Sequence, residues 1–441
     1  MRDGGRISAA IEILADLETR RRPVQDALKD WGLTHRFAGS RDRSAIGNLV
    51  YDVLRRRASL GAIMGNDDPR ALVFAAYALQ WGKGLDGLAA AADPADRHAP
   101  APPTPAEAAA LTAATLPDDA DIATRADLPG WLVPSLARVF GDRLETEGRA
   151  LAARADVDLR ANTLKADRDA VLADLAGAGA IAATWSPVGV RVPVGPGDEK
   201  APHLVSELSF KRGWFEVQDE GSQLAALVAA EALGPAAAGS VVIDLCAGGG
   251  GKSLALAAAL GDAGRILAYD NDKRRFGDIL DRIARSGASG IEVLDPGRGD
   301  PLAPLAGSAD LVVVDAPCTG TGTWRRRPDA KWRLAPGALE MRREQQRGVL
   351  GAAAQLVRPG GTICYITCSV LPEENEDQVA AFLAARRDFR LEDTAAALGR
   401  VAARPLPETT RVPLGAGTAA RLTPHATGTD GFFIARLRRA D

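Results

Sequence analysis

Apolar positions along the chain change their spacing twice. Over the first ninety residues they recur every three or four positions. Ile7 to Leu17, Asp42 to Arg57 and Pro69 to Leu79 each form one apolar stripe, which predicts three amphipathic helices. Between about Ala89 and Asp127 that spacing dissolves into an Ala/Pro/Asp mixture containing Ala99-Pro100-Ala101-Pro102-Pro103-Thr104-Pro105, and helix-breaking residues at this density read as a linker. From Leu128 to about Gly239, helices mix with short strand candidates such as Trp214-Phe215-Glu216-Val217. After Ser240 the runs become short and apolar: Val241 to Leu245, Arg265 to Asp270, Ile291 to Asp295, Leu311 to Asp315 and Thr362 to Thr367, separated by helical stretches. Buried strands alternating with helices predict an α/β fold with a doubly wound, mostly parallel sheet. Gly431-Phe432-Phe433-Ile434-Ala435-Arg436-Leu437 supplies a last strand. The expected division is 1–90 all-α, 91–127 linker, 128–239 ancillary α/β segment and 240–441 main α/β domain.

Composition narrows the class of protein. A chain of 441 residues exceeds one average domain, and 46% hydrophobic with 25% charged residues matches an ordinary globular protein. No apolar run is long enough to span a bilayer, and Met1-Arg2-Asp3-Gly4-Gly5-Arg6 does not open a secretory signal, so a cytoplasmic location is expected. Four cysteines without CxxC spacing and four scattered histidines argue against a disulfide framework and against a metal site. The formal charge of -3 conceals a cationic stretch. From Gly320 to Leu350 eight basic residues (Arg325, Arg326, Arg327, Lys331, Arg333, Arg342, Arg343 and Arg347) face three acids, Asp329, Glu340 and Glu344. The N-terminal arginines Arg20-Arg21-Arg22, Arg41, Arg43 and Arg55-Arg56-Arg57 read, on charge alone, as a solvated face.

Candidate chemistry gathers at strand ends. Asp244-Leu245-Cys246-Ala247-Gly248-Gly249-Gly250-Gly251-Lys252 is a glycine-rich strand-to-helix turn of the kind that holds a nucleotide-like cofactor. Gly251-Lys252-Ser253 matches the second half of a phosphate-binding loop, but Cys246 stands where that loop's first glycine must be, which disfavours an ATPase or GTPase. Asp270, 22 residues after Gly248, is placed to grip ribose hydroxyls. This pattern fits both nicotinamide enzymes and adenosylmethionine-dependent methyltransferases. Later motifs separate them: Asp315-Ala316-Pro317-Cys318-Thr319-Gly320-Thr321-Gly322 and Tyr365-Ile366-Thr367-Cys368-Ser369 put two thiols at the sheet rim, and nothing there resembles a hydride-transfer site.

Together these segments resemble the Sun-type (RsmB-like) RNA cytosine carbon-5 methyltransferases. The likeness rests on Asp244 to Lys252, Asp270, Asp315 to Gly322, Thr367-Cys368-Ser369 with Glu374-Asn375-Glu376, and Asp430-Gly431-Phe432-Phe433. Leu159-Arg160-Ala161-Asn162-Thr163 and Val217-Gln218-Asp219-Glu220-Gly221-Ser222 add to it. The first ninety residues resemble a NusB-like RNA-binding domain through Phe37-Ala38-Gly39-Ser40-Arg41-Asp42-Arg43 and Leu49-Val50-Tyr51. The resemblance implies a Rossmann-like class I methyltransferase fold using S-adenosyl-L-methionine, held by Cys246, Ala247, Gly248, Gly249, Gly250, Gly251, Lys252, Asp270, Asp295 and Asp315. Cys368 is then the nucleophile and Cys318 assists resolution of the adduct. Asp315 contacts the cytosine edge, and Lys252 steadies charge on the base or cofactor.

Chemistry explains the use of a thiol, because cytosine carbon 5 becomes nucleophilic enough for methylation only after a thiolate has added to carbon 6. Cys364, between Ile363 and Tyr365, reads instead as a buried apolar residue, and Cys246 as a backbone position in the turn. Asp295 is expected to bind the adenine amine or to cap a turn, and His425 to be structural. Trp324-Arg325-Arg326-Arg327-Pro328 and Lys331-Trp332-Arg333 interleave rings with cations, as phosphate contact and base stacking would require. RNA is the expected partner, ribosomal RNA first and transfer RNA as the alternative, with a monomer as the default. A ribosome-assembly factor without essential catalysis and a nucleotide-dependent oxidoreductase are the rival readings.

Overall fold

A computed structural model describes residues 1–199, 202–234 and 238–441. Two compact units emerge: one comprises Met1–Ala155 with Val194–Ala201 and Thr323–Leu334, the other Asp156–Pro193, Pro202–Gly322 and Ala335–Asp441. Among the described residues, no helix is long and apolar enough to cross a membrane.

The first unit is helical. Its predicted stripes become helices Asp3–Arg20, Ser40–Arg55 and Pro69–Ala75, the last continuing as a π-helical turn over Ala76–Gln80. They bury Ile7, Ile13, Ile46, Leu49, Leu72 and Phe74 in one core. The expected linker is a difference from the sequence reading. It carries helices Pro105–Ala113 and Ile122–Arg125 and belongs to this unit, whose main stretch ends at Ala155 rather than at residue 90. The reason is local: Thr104-Pro105-Ala106-Glu107 is a capping box with proline in the first turn, so its proline starts a helix instead of breaking one. Leu111 then packs into the common core, and Glu107 pairs with Arg70 at 2.9 Å.

The cationic stretch after Cys318 is divided between interior and surface. Thr323–Leu334 is built into the helical unit, with Trp324 and Lys331 each only 1% exposed and Arg325 buried. Arg327, Arg333 and Arg347 stay exposed. Lys331 Nζ donates to Arg55 O at 2.8 Å, Trp332 Nε1 donates to Leu54 O, and the Arg55 guanidinium donates twice to Arg325 O. Lys331 also lies 4.8 Å from the Trp332 ring centroid. Burial pushes the Lys331 ammonium down to about 7, against the opposing pull of Asp127 and with the help of Arg55. An unfolded chain, at the ordinary value of 10.5, binds this proton more tightly, so stability is expected to rise with pH from about 7 to about 10. Relative to Lys331→Met, the parent melting temperature should gain roughly 6–12 °C between pH 7 and 9.5. Parallel shifts in the two proteins would refute this.

The second unit holds two sheets. The smaller is antiparallel: β1 (Val157–Ala161), β2 (Ile181–Ala182), β3 (Gly189–Val192) and β4 (Phe215–Val217) run in the order β2-β3-β1-β4. The larger has nine strands: β5 (Val241–Asp244), β6 (Arg265–Tyr269), β7 (Ile291–Leu294), β8 (Ala309–Asp315), β9 (Val357–Thr367), β10 (Phe389–Leu391), β11 (Arg411–Leu414), β12 (Gly417–Leu422) and β13 (Phe432–Arg439). Its order is β11-β12-β13-β9-β8-β5-β6-β7, with β10 also pairing β13. Pairings among β5 to β9 are parallel, and those of β10 to β13 antiparallel. This is the expected α/β Rossmann-like fold with a mostly parallel central sheet.

Strand period distributes the core over both faces. Ile243, Val312, Val314, Ile363 and Tyr365 point to one side; Val242, Leu311, Val313, Cys364 and Ile366 point to the other. Cys364 is thus a core residue, and burial pushes its thiol up to about 12. Because β5, β6, β8 and β9 are parallel, their carboxyl ends share one rim, where a doubly wound sheet places its ligands.

Candidate active site

The glycine turn leaves that rim at Asp244. Its carboxylate is fully buried, and Ser253 Oγ donates to Oδ2 at 2.6 Å. Burial pushes the Asp244 carboxyl up to about 6, with the Ser253 bond opposing and the charge of Asp315 adding. Gly250 has a left-handed backbone (φ 78°), and a Cβ there would lie 2.7 Å from Ile279 Cγ1, so only glycine fits. Cys246, in the same turn, is pushed well up by burial and by neighbouring carboxylates, as suits a backbone position. Asp270, just beyond β6, is 1% exposed. Its Oδ2 accepts from Gly248 N–H at 3.1 Å and from Arg275 Nη1 at 3.1 Å, and its Oδ1 accepts from Asp272 N–H. Asp295 Oδ1 accepts from Gly297 N–H at 2.8 Å and pairs with Lys273 Nζ, the turn-capping behaviour of its two expected roles.

The sequence reading missed what braces this turn. Arg282 Nη1 donates to Gly249 O, and Gln218 Nε2 reaches Gly251 O at 3.4 Å. Glu216, on β4, holds Arg282 and Arg285 at 3.0 and 2.6 Å. The signal for Gln218 lay in the family-like segment Val217-Gln218-Asp219-Glu220-Gly221-Ser222 and that for Glu216 in the strand candidate Trp214-Phe215-Glu216-Val217, while Arg282 carried none.

The two strand-end thiols meet. Cys318, three residues past β8, and Cys368, the residue after β9, have Sγ atoms 3.3 Å apart, and both are free and half-buried. Cys318 is pushed well above the usual thiol range, first by its hydrogen bond to Cys368, then by burial and by the charges of Cys368 and Glu374. At the end of β8, Asp315 Oδ2 pairs with Lys252 Nζ at 2.7 Å. Burial works against the Lys252 ammonium, but Asp315, Cys368 and Asp244 outweigh it and raise its proton affinity. Lys252 thus stays a cation between the cofactor turn and the thiol pair, 5.5 Å from the Phe432 ring centroid. His425 is exposed and apart from these contacts.

Close backbone approach fixes the floor of the site. Gly322 N–H donates to Cys368 O at 3.0 Å and Gly431 N–H to Gly322 O at 2.8 Å. A Cβ on Gly322 would lie 2.2 Å from Gly431 O. Thr321 Oγ1 and Ser369 Oγ share a hydrogen bond, and Val370 N–H donates to Thr321 Oγ1. Glu374 and Asn375, buried just beyond β9, reach the loops that carry the thiols.

Residues 230–438 match the family model described as 16S rRNA methyltransferase RsmB/F, and residues 128–195 match the ferredoxin-like domain of the same proteins. The chain is 32% identical over 317 residues to the "Probable ribosomal RNA small subunit methyltransferase B" of Synechocystis, covering 71% of this chain and 67% of that one. It belongs to the RsmB/F methyltransferase family. A ribosomal RNA small subunit methyltransferase B of Sodalis glossinidius is 35% identical over 313 residues, 70% of this chain; the match spans 65% of that relative, just under two thirds. The solved structure of a protein called PH0851 superposes with a TM-score of 0.71 at 26% identity, covering 100% of this chain and 99% of the other. The match to residues 230–438 includes every residue of the thiol site, and the match to residues 128–195 takes in β1 to β3 of the smaller sheet.

Proposed function

We propose that this protein methylates carbon 5 of a cytosine in small-subunit ribosomal RNA, through a covalent adduct on Cys368. The single observation that carries the proposal is the 3.3 Å approach of two free thiols beside the buried Lys252–Asp315 pair. Membership of the RsmB/F family supports RNA as the substrate.

The turn suits S-adenosylmethionine. It offers backbone groups at left-handed glycines and, one strand over, a carboxylate for hydroxyls, with no side chain filling the space above Gly248 closer than 4.0 Å. Cys246, Ala247, Gly248, Gly249, Gly250, Gly251 and Asp270 would hold it, with Asp295 and Asp315 at its two ends. When bound, it supplies an electrophilic methyl group to carbon 5.

The residues of the site perform the rest. Cys368, as thiolate, forms the S–C6 bond while the C5=C6 electron pair moves into the ring, leaving carbon 5 enamine-like. Asp315 holds the cytosine edge, and the buried Lys252 ammonium stabilises charge gathering beside it. Cys318 stays protonated while Cys368 is charged, because its raised proton affinity comes first from Cys368 itself. Once Cys368 is a neutral thioether that cause is gone, and Cys318 can lose its proton to water. It then takes the carbon-5 proton; the C–H pair restores C5=C6 and expels the Cys368 thiolate. The base must lie outside a helix for its carbon 6 to be reached.

Incubation with methyl-labelled S-adenosylmethionine and unmodified small-subunit ribosomal RNA, followed by nucleoside analysis, should place the label in 5-methylcytidine. Label on adenine or on protein would refute the proposal, and label only with transfer RNA would reassign the substrate.

A further inference from the structure

Each thiol is held by its own hydrogen-bonded network, and the two networks start from adjacent residues. The peptides on both sides of Cys318 lead to Glu374. Thr319 N–H donates to Glu374 Oε1 at 2.8 Å and Thr319 Oγ1 donates to Oε2. Gln346 Nε2 donates both to Glu374 Oε1, at 3.0 Å, and to Pro317 O, at 2.9 Å. The residues on both sides of Cys368 lead to Asn375. Its Nδ2 donates to Ser369 O at 2.9 Å, and its Oδ1 accepts from Thr367 Oγ1 at 2.5 Å. Glu374, Asn375 and Thr367 have no exposed surface, so neither network is softened by water.

Resting on the function proposed above, we infer that Glu374 and Asn375 are positioning residues for opposite halves of the reaction: Asn375 aims Cys368 for attack on carbon 6, and Glu374 aims Cys318 for release. The separation follows from what each side chain can touch. Thr367 and Ser369 are the immediate neighbours of Cys368, so losing the Asn375 amide frees the end of β9 and the nucleophile with it. Pro317 and Thr319 are the immediate neighbours of Cys318, so losing the Glu374 carboxylate frees the loop after β8. The negative charge of Glu374 also acts on Cys318, raising its proton affinity as a base requires. The networks meet at one hydroxyl, since Ser369 helps to hold the Glu374 charge, itself disfavoured first by burial.

Two RNA probes read the halves separately. On small-subunit ribosomal RNA transcribed with 5-fluorocytidine and given S-adenosylmethionine, the methylated carbon 5 carries no proton to remove, so the trapped adduct reports attack and methyl transfer without release. On ordinary transcript, an adduct that persists on denaturing gels reports failed release. Asn375→Ala should lower trapping on the fluorinated RNA by about tenfold to a hundredfold and accumulate nothing on ordinary RNA. Glu374→Ala should trap within about threefold of the parent but lose turnover by a similar factor on ordinary RNA while the adduct accumulates. Gln346→Ala, which cuts the tie to Pro317 while leaving the carboxylate in place, should share the Glu374→Ala phenotype in weaker form. Glu374→Gln keeps an acceptor for the Thr319 N–H and should restore most of the turnover. Thermal melts identify any variant that has simply unfolded, and Gln346→Ala then carries the test for the Cys318 side.

One shared phenotype for folded Glu374→Ala and Asn375→Ala would overturn this assignment alone, provided the cysteine variants behave as described below. A parent protein that forms no adduct on the fluorinated RNA would overturn the function reading together with it.

Discussion

Cys368→Ala is expected to abolish cytosine methylation, with a loss on the order of 10⁴-fold or more, because removing a nucleophile removes the covalent route entirely. No other described group can take its place. Cys318, 3.3 Å away, has its proton affinity raised by Cys368, by burial and by Glu374, which makes it the poorer nucleophile of the pair. Cys364 is a core residue on one face of the sheet, and Cys246 lies in the glycine turn. The variant should form no adduct on either ordinary or fluorinated RNA, and its fold should survive. The thiol is half-buried at a strand end, at the margin of a core cluster, and the strand end remains held by Gly322 and Asn375. Radiolabel transfer and denaturing gels check both halves of this expectation. Retained methylation would mean that the thiol pair is structural.

Cys318→Ala is expected to give the opposite result. Attack and methyl transfer need Cys368, Lys252 and Asp315, all of which the substitution leaves in place while removing the 3.3 Å Sγ–Sγ contact. The protein should therefore methylate once and then stop, carrying RNA in a complex that survives denaturation and approaches stoichiometric amounts. Turnover should fall by a factor on the order of 10² to 10⁴, the range a positioned proton acceptor contributes. If the two cysteine variants behaved alike, the division of labour would fail even though the family assignment stands.

The chemistry-bearing positions were largely legible before the structure because strand ends in a parallel sheet are legible. A short apolar run that stops at Leu245, Asp315 or Thr367 announces both a buried strand and the rim where its next residues emerge. Reading β5 to β9 and the last strand from the sequence therefore also located Cys318 and Cys368. What local pattern could not show is that the two sulfurs touch, since they are fifty residues apart and only the pairing of β8 with β9 brings them together. Glu374 and Asn375 were visible as a motif but not as two separate anchors, because the partners of Glu374, Thr319 and Gln346, reach it only through the folded unit.

In the linker and the cationic stretch the meaning of a residue depends on its neighbours more than on composition. Thr104 and Glu107 turn Pro105 into a helix start, and the backbone carbonyls of Leu54 and Arg55 hold Trp332 half-buried and Lys331 in the interior. Burying a lysine has a cost that a solvated or RNA-facing lysine would not incur, which is why its titration offers a test of the packing.

The most direct test of the account is the site of the covalent bond. The protein would be incubated with S-adenosylmethionine and 5-fluorocytidine-containing small-subunit ribosomal RNA, digested, and the cross-linked peptide sequenced by mass spectrometry. The account predicts a methylated cytosine joined through carbon 6 to the peptide containing Cys368. Attachment at Cys318, or methylated RNA with no protein attached, would contradict it.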